Sequence, residues 1–213
     1  EYQRASALLA LGRADEAERG LRRAVELRPD WTLPMPTLAS LLMRKNNFAE
    51  AEKILNKAIV LDAHNAPAYV ALTELRLKTK ASPSELKDLL SKLQNLTVKA
   101  RPTASLLAAR GSIERALGDR AAAKTSVARA LEIQPSNSLA LSERIEIALA
   151  ESDFTRAVAD ARLLIKAAPK AASAKLYLAR ALAESGIAAE ALKILDEMDT
   201  ANADVGALKE AIT

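Results

Sequence analysis

Few side chains in this 213-residue sequence have the type and spacing that chemistry requires. His64 is the one histidine, and there is no cysteine. A catalytic histidine needs a positioned partner and a metal ion needs several ligands, so His64 alone supports neither. It follows Asp62 in a turn, where we expect it to be exposed. The sequence also has no glycine-rich phosphate loop and no nucleophile elbow. It therefore predicts no metal site, no cofactor and no enzyme activity.

Glu143 and Glu146 are the pair of carboxylates best spaced for joint action, because residues three apart share one face of a helix. Two carboxylates can act as acid and base when burial splits their pKa values. Neither Ser142 nor Arg144 indicates such a pocket. We therefore expect an acidic spot on a binding surface.

Positive charge is concentrated between Arg76 and Arg120, where ten Lys or Arg face four Asp or Glu. Such an excess can attract an anionic partner. The aromatic residues that would stack on bases are not interleaved with it, so nucleic acid is not the expected partner. We favour a solvated basic face on the third repeat.

Trp31 is the single tryptophan and follows Pro29 and Asp30 in a turn. We expect it to be buried under the next helix, with an exposed anchor for a partner as the alternative. The longest uncharged run, from Trp31 to Met43, is too short to span a bilayer, and we expect no membrane insertion.

A repeated unit must position these residues. A small residue followed four positions later by a bulky or apolar one recurs in steps of 34, 72, 34 and 34 residues, and its small positions are Ala17, Ala51, Ala123, Ala157 and Ala191. A helical period near 34 is typical of solenoids. We expect one domain with repeats at about 1–31, 32–65, 66–103, 104–137, 138–171 and 172–203. Residues 204–213 would form a cap or begin a seventh repeat.

The third repeat departs from the period by four extra residues. Ser82, Pro83 and Glu85 form a capping-box pattern before a stripe of leucines. Four residues are about one helical turn, so the pattern predicts a longer second helix, not a loop.

In the second repeat, we expect the first helix to begin near Thr32.

The sequence resembles the tetratricopeptide repeat (TPR) family. That family's pattern has a small eighth residue, Ala at the twentieth position, a bulky twenty-fourth residue and Pro at the thirty-second. Repeat one matches it with Ala5, Ala17, Leu21 and Pro29, and repeat four with Gly111, Ala123, Val127 and Pro135. The resemblance implies an all-α fold, a right-handed α-solenoid of about six helix-turn-helix repeats. The Ala- and Arg-rich style also resembles bacterial lipoproteins of exopolysaccharide export or protein sorting.

In that family, the first helices of the repeats line a concave groove that binds ligands. By position, the resemblance assigns this groove Ser40, Met43, Arg44, Val70, Glu74, Leu77, Lys78, Ala108, Ser112, Arg115, Ser142, Glu143, Glu146, Leu149, Leu176, Tyr177, Arg180 and Glu184. Apolar spots ringed by charges of both signs suit an extended peptide or an amphipathic helix.

We therefore expect a non-catalytic scaffold that binds a protein or peptide in this groove. Two alternatives are open: a recruiting arm of a larger enzyme or secretion-associated protein, and a self-association module. The sequence begins at Glu1 inside a helical pattern, which we interpret as a fragment of a longer protein. It leaves the compartment open between bacterial cytoplasm, periplasm and envelope.

Overall fold

The computed structural model describes residues 1–99, 102–169, 171–198 and 203–212. These ranges contain thirteen α-helices and no strand: α1 (Tyr2–Ala10), α2 (Ala14–Leu27), α3 (Met35–Arg44), α4 (Phe48–Leu61), α5 (Ala66–Lys78), α6 (Pro83–Lys99), α7 (Ala104–Ala116), α8 (Arg120–Ile133), α9 (Ser138–Ala150), α10 (Phe154–Ala167), α11 (Ala172–Glu184), α12 (Ala188–Asp196) and α13 (Ala203–Ile212). The helical-repeat solenoid predicted from the sequence is confirmed.

Short polar residues decide where many of these helices begin. The side chains of Asn47, Asn65, Thr103 and Asn137 each accept a hydrogen bond from the backbone N–H three residues later. Such caps satisfy one of the donors that a helix N-terminus leaves unpaired. The turns within the helix pairs contain residues with positive φ, namely Gly12, Asn46, Lys80, Gly118, Ser152 and Gly186.

The capping box before α6 is confirmed. The Ser82 backbone N–H donates to the Glu85 carboxylate at 2.9 Å, and the Glu85 N–H donates back to Ser82 Oγ at 3.3 Å. The helix runs for 17 residues. Leu86, Leu89 and Leu93 are buried along it, so the extra turn keeps its apolar face in phase.

Helix α3 begins at Met35, and the prediction that it begins near Thr32 was wrong. A proline disfavours helical backbone in the residue before it, so Pro34 keeps Leu33 out of the helix. The Met35 N–H instead closes a turn on the Thr32 carbonyl at 3.1 Å.

The helices pack as two compact units, residues 1–102 and 103–213. In the second unit, α9 contacts α7, α8, α10 and α11. The first helices of the repeats therefore form one layer of this unit, and α8 and α10 each pack against two of them. Helix α13 contacts α11 and α12, so it extends the first-helix layer. That all of 1–213 forms one array stays a prediction.

Small residues let the two helices of a repeat pack closely. The five repeat alanines are all fully buried: Ala17, Ala51, Ala123, Ala157 and Ala191. At the eighth position of repeat four, a Cβ built on Gly111 would lie 2.8 Å from Val127 Cγ2 and 3.3 Å from the Ala123 carbonyl oxygen. These distances are shorter than carbon contacts at optimal separation. The pair α7–α8 therefore leaves too little space for a Cβ at position 111.

Candidate functional site

The residues that the resemblance assigned to the groove differ in exposure. In the first unit, Ser40, Val70 and Leu77 are half-buried, and Arg44, Glu74 and Lys78 are exposed. In the second unit, Arg115, Ser142, Glu146, Leu176, Tyr177 and Arg180 are half-buried, and Glu184 is exposed. The other five are buried: Met43, Ala108, Ser112, Glu143 and Leu149. Their side chains therefore offer little area to a ligand, and the Ser112 hydroxyl donates to the Ala108 carbonyl of its own helix.

The second unit joins its first helices through an ion pair that the sequence did not reveal. Arg115 on α7 donates from Nε to the Glu143 carboxylate on α9 at 2.7 Å. Glu143 is 6% exposed. Burial acts to lower the pKa of Arg115, but the hydrogen bond and charge of Glu143 outweigh it and raise that pKa. This pair fixes α7 against α9.

Arg180 on α11 bonds two carboxylates. Its Nη1 lies 3.2 Å from Glu146 Oε2 on α9, and its Nε lies 2.8 Å from Glu184 Oε1 on its own helix. Burial again opposes the rise in the pKa of Arg180, and the hydrogen bonds and charges of Glu184 and Glu146 outweigh it. One guanidinium cannot neutralise two carboxylates, so one negative charge is left in excess here.

The expected acidic spot at Glu143 and Glu146 therefore needs correction. Each carboxylate pairs with an arginine of a neighbouring helix, Arg115 or Arg180. Helical spacing alone placed the two glutamates on one face, but their partners lie 28 and 34 residues away in the sequence. The excess negative charge lies at Glu146 and Glu184, not at the predicted pair.

Tyr177 lies between these ion pairs and an open cleft. Burial is the main cause that raises the pKa of its hydroxyl, to about 12, and the charges of Glu146 and Glu143 add to the effect. The side chain therefore stays neutral at physiological pH.

The cleft has a volume of about 590 Å³ and lies between α11 and α13, and we call it the α11–α13 cleft. Its lining is Glu146, Ser173, Leu176, Tyr177, Arg180, Asp204, Ala207, Leu208 and Ala211. Most of these side chains are apolar, and the charged or hydroxyl-bearing ones besides Tyr177 are Glu146, Ser173, Arg180 and Asp204. Ligand sites are usually apolar cavities with a few polar groups. The volume of this cleft is within the usual range of about 300–1,000 Å³.

The sequence missed the α13 side of this cleft, because residues 204–213 were expected to be either a cap or a new repeat. The signal was present in Asp204, Ala207, Leu208 and Ala211, whose spacing places them on one face of a helix. The small side chains of Ala207 and Ala211 leave space beside α11.

The other candidate residues have structural surroundings. His64 is exposed, as expected, and its backbone N–H donates to Asp62 Oδ1 at 2.9 Å. Within the described residues, no group of three or more acidic or histidine side chains is arranged to hold a metal ion. No helix in the same ranges is long and apolar enough to cross a membrane.

Trp31 is half-buried, so the prediction that it lies buried under the next helix was wrong. Its ring meets that of Tyr2 edge-on, with 5.3 Å between ring centroids, and the Arg28 guanidinium lies 4.3 Å from the Trp31 ring centroid. It thus packs beside the start of α1 and the end of α2.

Acidic partners accompany much of the basic stretch from Arg76 to Arg120. Arg76 pairs with Glu52 at 2.6 Å and with Glu85 at 3.3 Å. Arg110 pairs with buried Glu114 at 2.6 Å, and Glu114 also accepts from Ser126 Oγ. These pairs neutralise part of the stretch, which reduces its attraction for an anion.

Models of the tetratricopeptide repeat match most of the chain. One model matches residues 108–172 and 144–205, and another matches residues 2–30 and 37–65. A search of curated protein sequences gave no match. The resemblance to lipoproteins of exopolysaccharide export or protein sorting finds no support in these matches.

Solved structures of the same repeat fold are similar to the chain. A thermophilic TPR protein of Thermus thermophilus is 23% identical, with a TM-score of 0.73 over 85% of this chain and 96% of its own. PilW, a type IV pilus biogenesis factor, is 14% identical, with a TM-score of 0.69 over 99% and 96%. The Cut9–Hcn1 structure is 15% identical, with a TM-score of 0.75 over 98% of this chain and 41% of that one. At these identities the likeness shows the fold alone.

Proposed function

Because the chain belongs to the tetratricopeptide repeat family, whose members generally mediate protein–protein interaction, we propose that its second unit binds a polypeptide segment. The proposed surface is the first-helix face, which we define as the exposed sides of α7, α9, α11 and α13. The protein acts as a non-catalytic scaffold, and its partner is a protein or peptide.

The observation that carries this proposal is the α11–α13 cleft. Leu176, Tyr177 and Leu208 are only half-buried there, so a partner's apolar side chain can cover surface that the chain leaves in water. Removing apolar surface from water contributes roughly 25 cal/mol per Å². A tyrosine beside an arginine is also the composition found at the strongest contact points of interfaces.

Rigid surroundings support the same proposal. The pairs Arg115–Glu143 and Arg180–Glu146 link α7, α9 and α11, and Ala174, Leu178 and Ala179 fix α11 in the core. A surface held in one arrangement binds at a smaller entropic cost than one that must first be ordered. The buried Glu143, Ser112, Ala108 and Leu149 contribute to this rigidity instead of contacting the ligand.

Selection of random peptides displayed on phage against the immobilised protein tests the proposal. Enriched peptides are then measured against the wild type, Ala207→Trp and Ala189→Trp. Both alanines are exposed helix residues, but only Ala207 lines the cleft. We expect Ala207→Trp to weaken binding at least about tenfold and Ala189→Trp to leave it unchanged. Equal binding by the two variants, or no enriched peptide, would refute the proposed site.

A further inference from the structure

The charges around the α11–α13 cleft indicate the chemistry of its ligand. Arg180 is the cation of the cleft lining, and it already bonds the carboxylates of Glu146 and Glu184. Both pairs are partly open to solvent, since the side chain of Arg180 is 41% exposed, that of Glu146 25% and that of Glu184 37%. An incoming group therefore meets an arginine whose charge is already compensated and two carboxylates that share it.

Among the described residues that line the cleft, an anionic ligand meets no uncompensated cation. It would have to displace Glu146 or Glu184 from Arg180, and the released carboxylate would then repel it. A cationic group has no such conflict, because it can bond the free lone pairs of either carboxylate while Arg180 stays in place. Charge complementarity of this kind contributes more to the choice of partner than to the affinity.

The aromatic ring beside these carboxylates favours the same class of ligand. Tyr177 lines the cleft with Arg180, and an aromatic ring attracts the cationic end of a lysine or arginine side chain. Leu176 and Leu208 provide the apolar part of the cleft. One ligand side chain that is large and apolar, next to one that is cationic, satisfies both parts.

We propose that the α11–α13 cleft selects a polypeptide segment in which a large apolar residue is flanked by Lys or Arg. This inference rests on the proposed function. The apolar side chain lies between Leu176 and Leu208, and the cationic one pairs with Glu146 or Glu184. A partner whose binding segment is acidic is excluded from this cleft.

The sequences of the peptides selected on phage give the first test. We expect Lys or Arg within two residues of Leu, Phe, Met or Trp to be enriched over the starting library, and Asp and Glu to be depleted. Enriched peptides that require the open cleft but have neutral or acidic flanks would overturn this inference and leave the proposed function standing. If no peptide depends on the cleft, both fail.

Matched substitutions give the second test. The most enriched peptide is synthesised with its basic residues intact and with each replaced by Gln, and binding is measured by fluorescence anisotropy. We expect the Gln peptide to bind the wild type about twofold to tenfold more weakly than the basic peptide does. In Glu184→Gln, the ratio of the two dissociation constants should fall towards one.

Glu190→Gln serves as the control, because Glu190 is exposed on α12 and lies 3.8 Å from Arg162, away from the cleft lining. That variant keeps the wild-type ratio. Raising the salt concentration weakens wild-type binding of the basic peptide more than binding of the Gln peptide. A ratio that Glu184→Gln leaves unchanged, or that salt does not affect, would contradict the role of the carboxylates.

Discussion

Gly111→Ala tests the packing of the repeat directly, because the added methyl group has no space. Its Cβ would lie 2.8 Å from Val127 Cγ2 and 3.3 Å from the Ala123 carbonyl oxygen. Val127 is 1% exposed and β-branched, so it has few alternative rotamers in a helix. Helices α7 and α8 must therefore separate to accommodate the new methyl group.

Two opposing effects set the magnitude. Overpacking of a filled core costs about 1–3 kcal/mol. Alanine in place of a helical glycine gains roughly 1 kcal/mol from intrinsic helix propensity. We expect a net loss of up to about 2 kcal/mol in the free energy of unfolding, from the difference between these two effects.

A double-mutant cycle with Val127→Ala separates the two effects. Val127→Ala removes the shorter of the two contacts, so Gly111→Ala should destabilise the protein much less in that background than in the wild type. Urea unfolding of the wild type, the two single variants and the double variant gives the coupling energy, which we expect to be about 1–3 kcal/mol.

Gly206→Ala is the matched control. Gly206 lies within α13, and a Cβ built on it meets no atom within 4 Å. It should therefore show only the propensity gain, about 0.5–1 kcal/mol. If Gly111→Ala stabilises the protein as much as Gly206→Ala, and shows no coupling with Val127→Ala, the close approach of α7 and α8 is refuted.

Three further predictions concern the second unit. Ala157→Leu, at a fully buried repeat position, should overpack α10 and lower the free energy of unfolding by about 1–3 kcal/mol; an unchanged melting temperature would count against the repeat alignment. Arg144→Met should cost about 2–4 kcal/mol in the same measurement, because it leaves the Asp160 carboxylate, 4% exposed, without its partner, and a cost near zero would contradict that pairing. The Tyr177 hydroxyl should ionise at about pH 12, so that ultraviolet absorbance of the wild type minus that of Tyr177→Phe shows no tyrosinate at pH 10.5. Since its folded pKa is above the unfolded value near 10, the stability that Tyr177 contributes is complete below pH 10 and is lost as the pH rises to 12, and a difference signal at pH 10.5 would refute this environment.

Local residue types account for many of the helix boundaries. Residues such as Gly12, Gly118 and Gly186 mark turns that need positive φ, and all three have it. The capping box at Ser82 and Glu85 likewise acts within a single turn of chain. Helix α3 starts later than expected, because Pro34 disfavours helical backbone at Leu33.

The candidate site was less predictable, because its contacts join residues far apart in the sequence. The resemblance placed Arg115, Glu143 and Arg180 on one surface, but it could not show that Arg115 pairs with Glu143 or that Glu146 and Glu184 share Arg180. Those pairings depend on how far α9 and α11 are rotated against each other. The cleft depends in addition on α13, whose position no repeat pattern specified.

Hydrogen exchange tests whether a peptide binds at the first-helix face, which is the central claim. The test does not assume which side chains take part. The protein is exchanged alone and with a saturating amount of the most enriched peptide. We predict slower amide exchange in α11 and α13, because the peptide covers the cleft between them. Exchange in α8, α10 and α12, the second helices of the repeats, should change little. Protection confined to those second helices, or no protection in α11 and α13, would contradict the account.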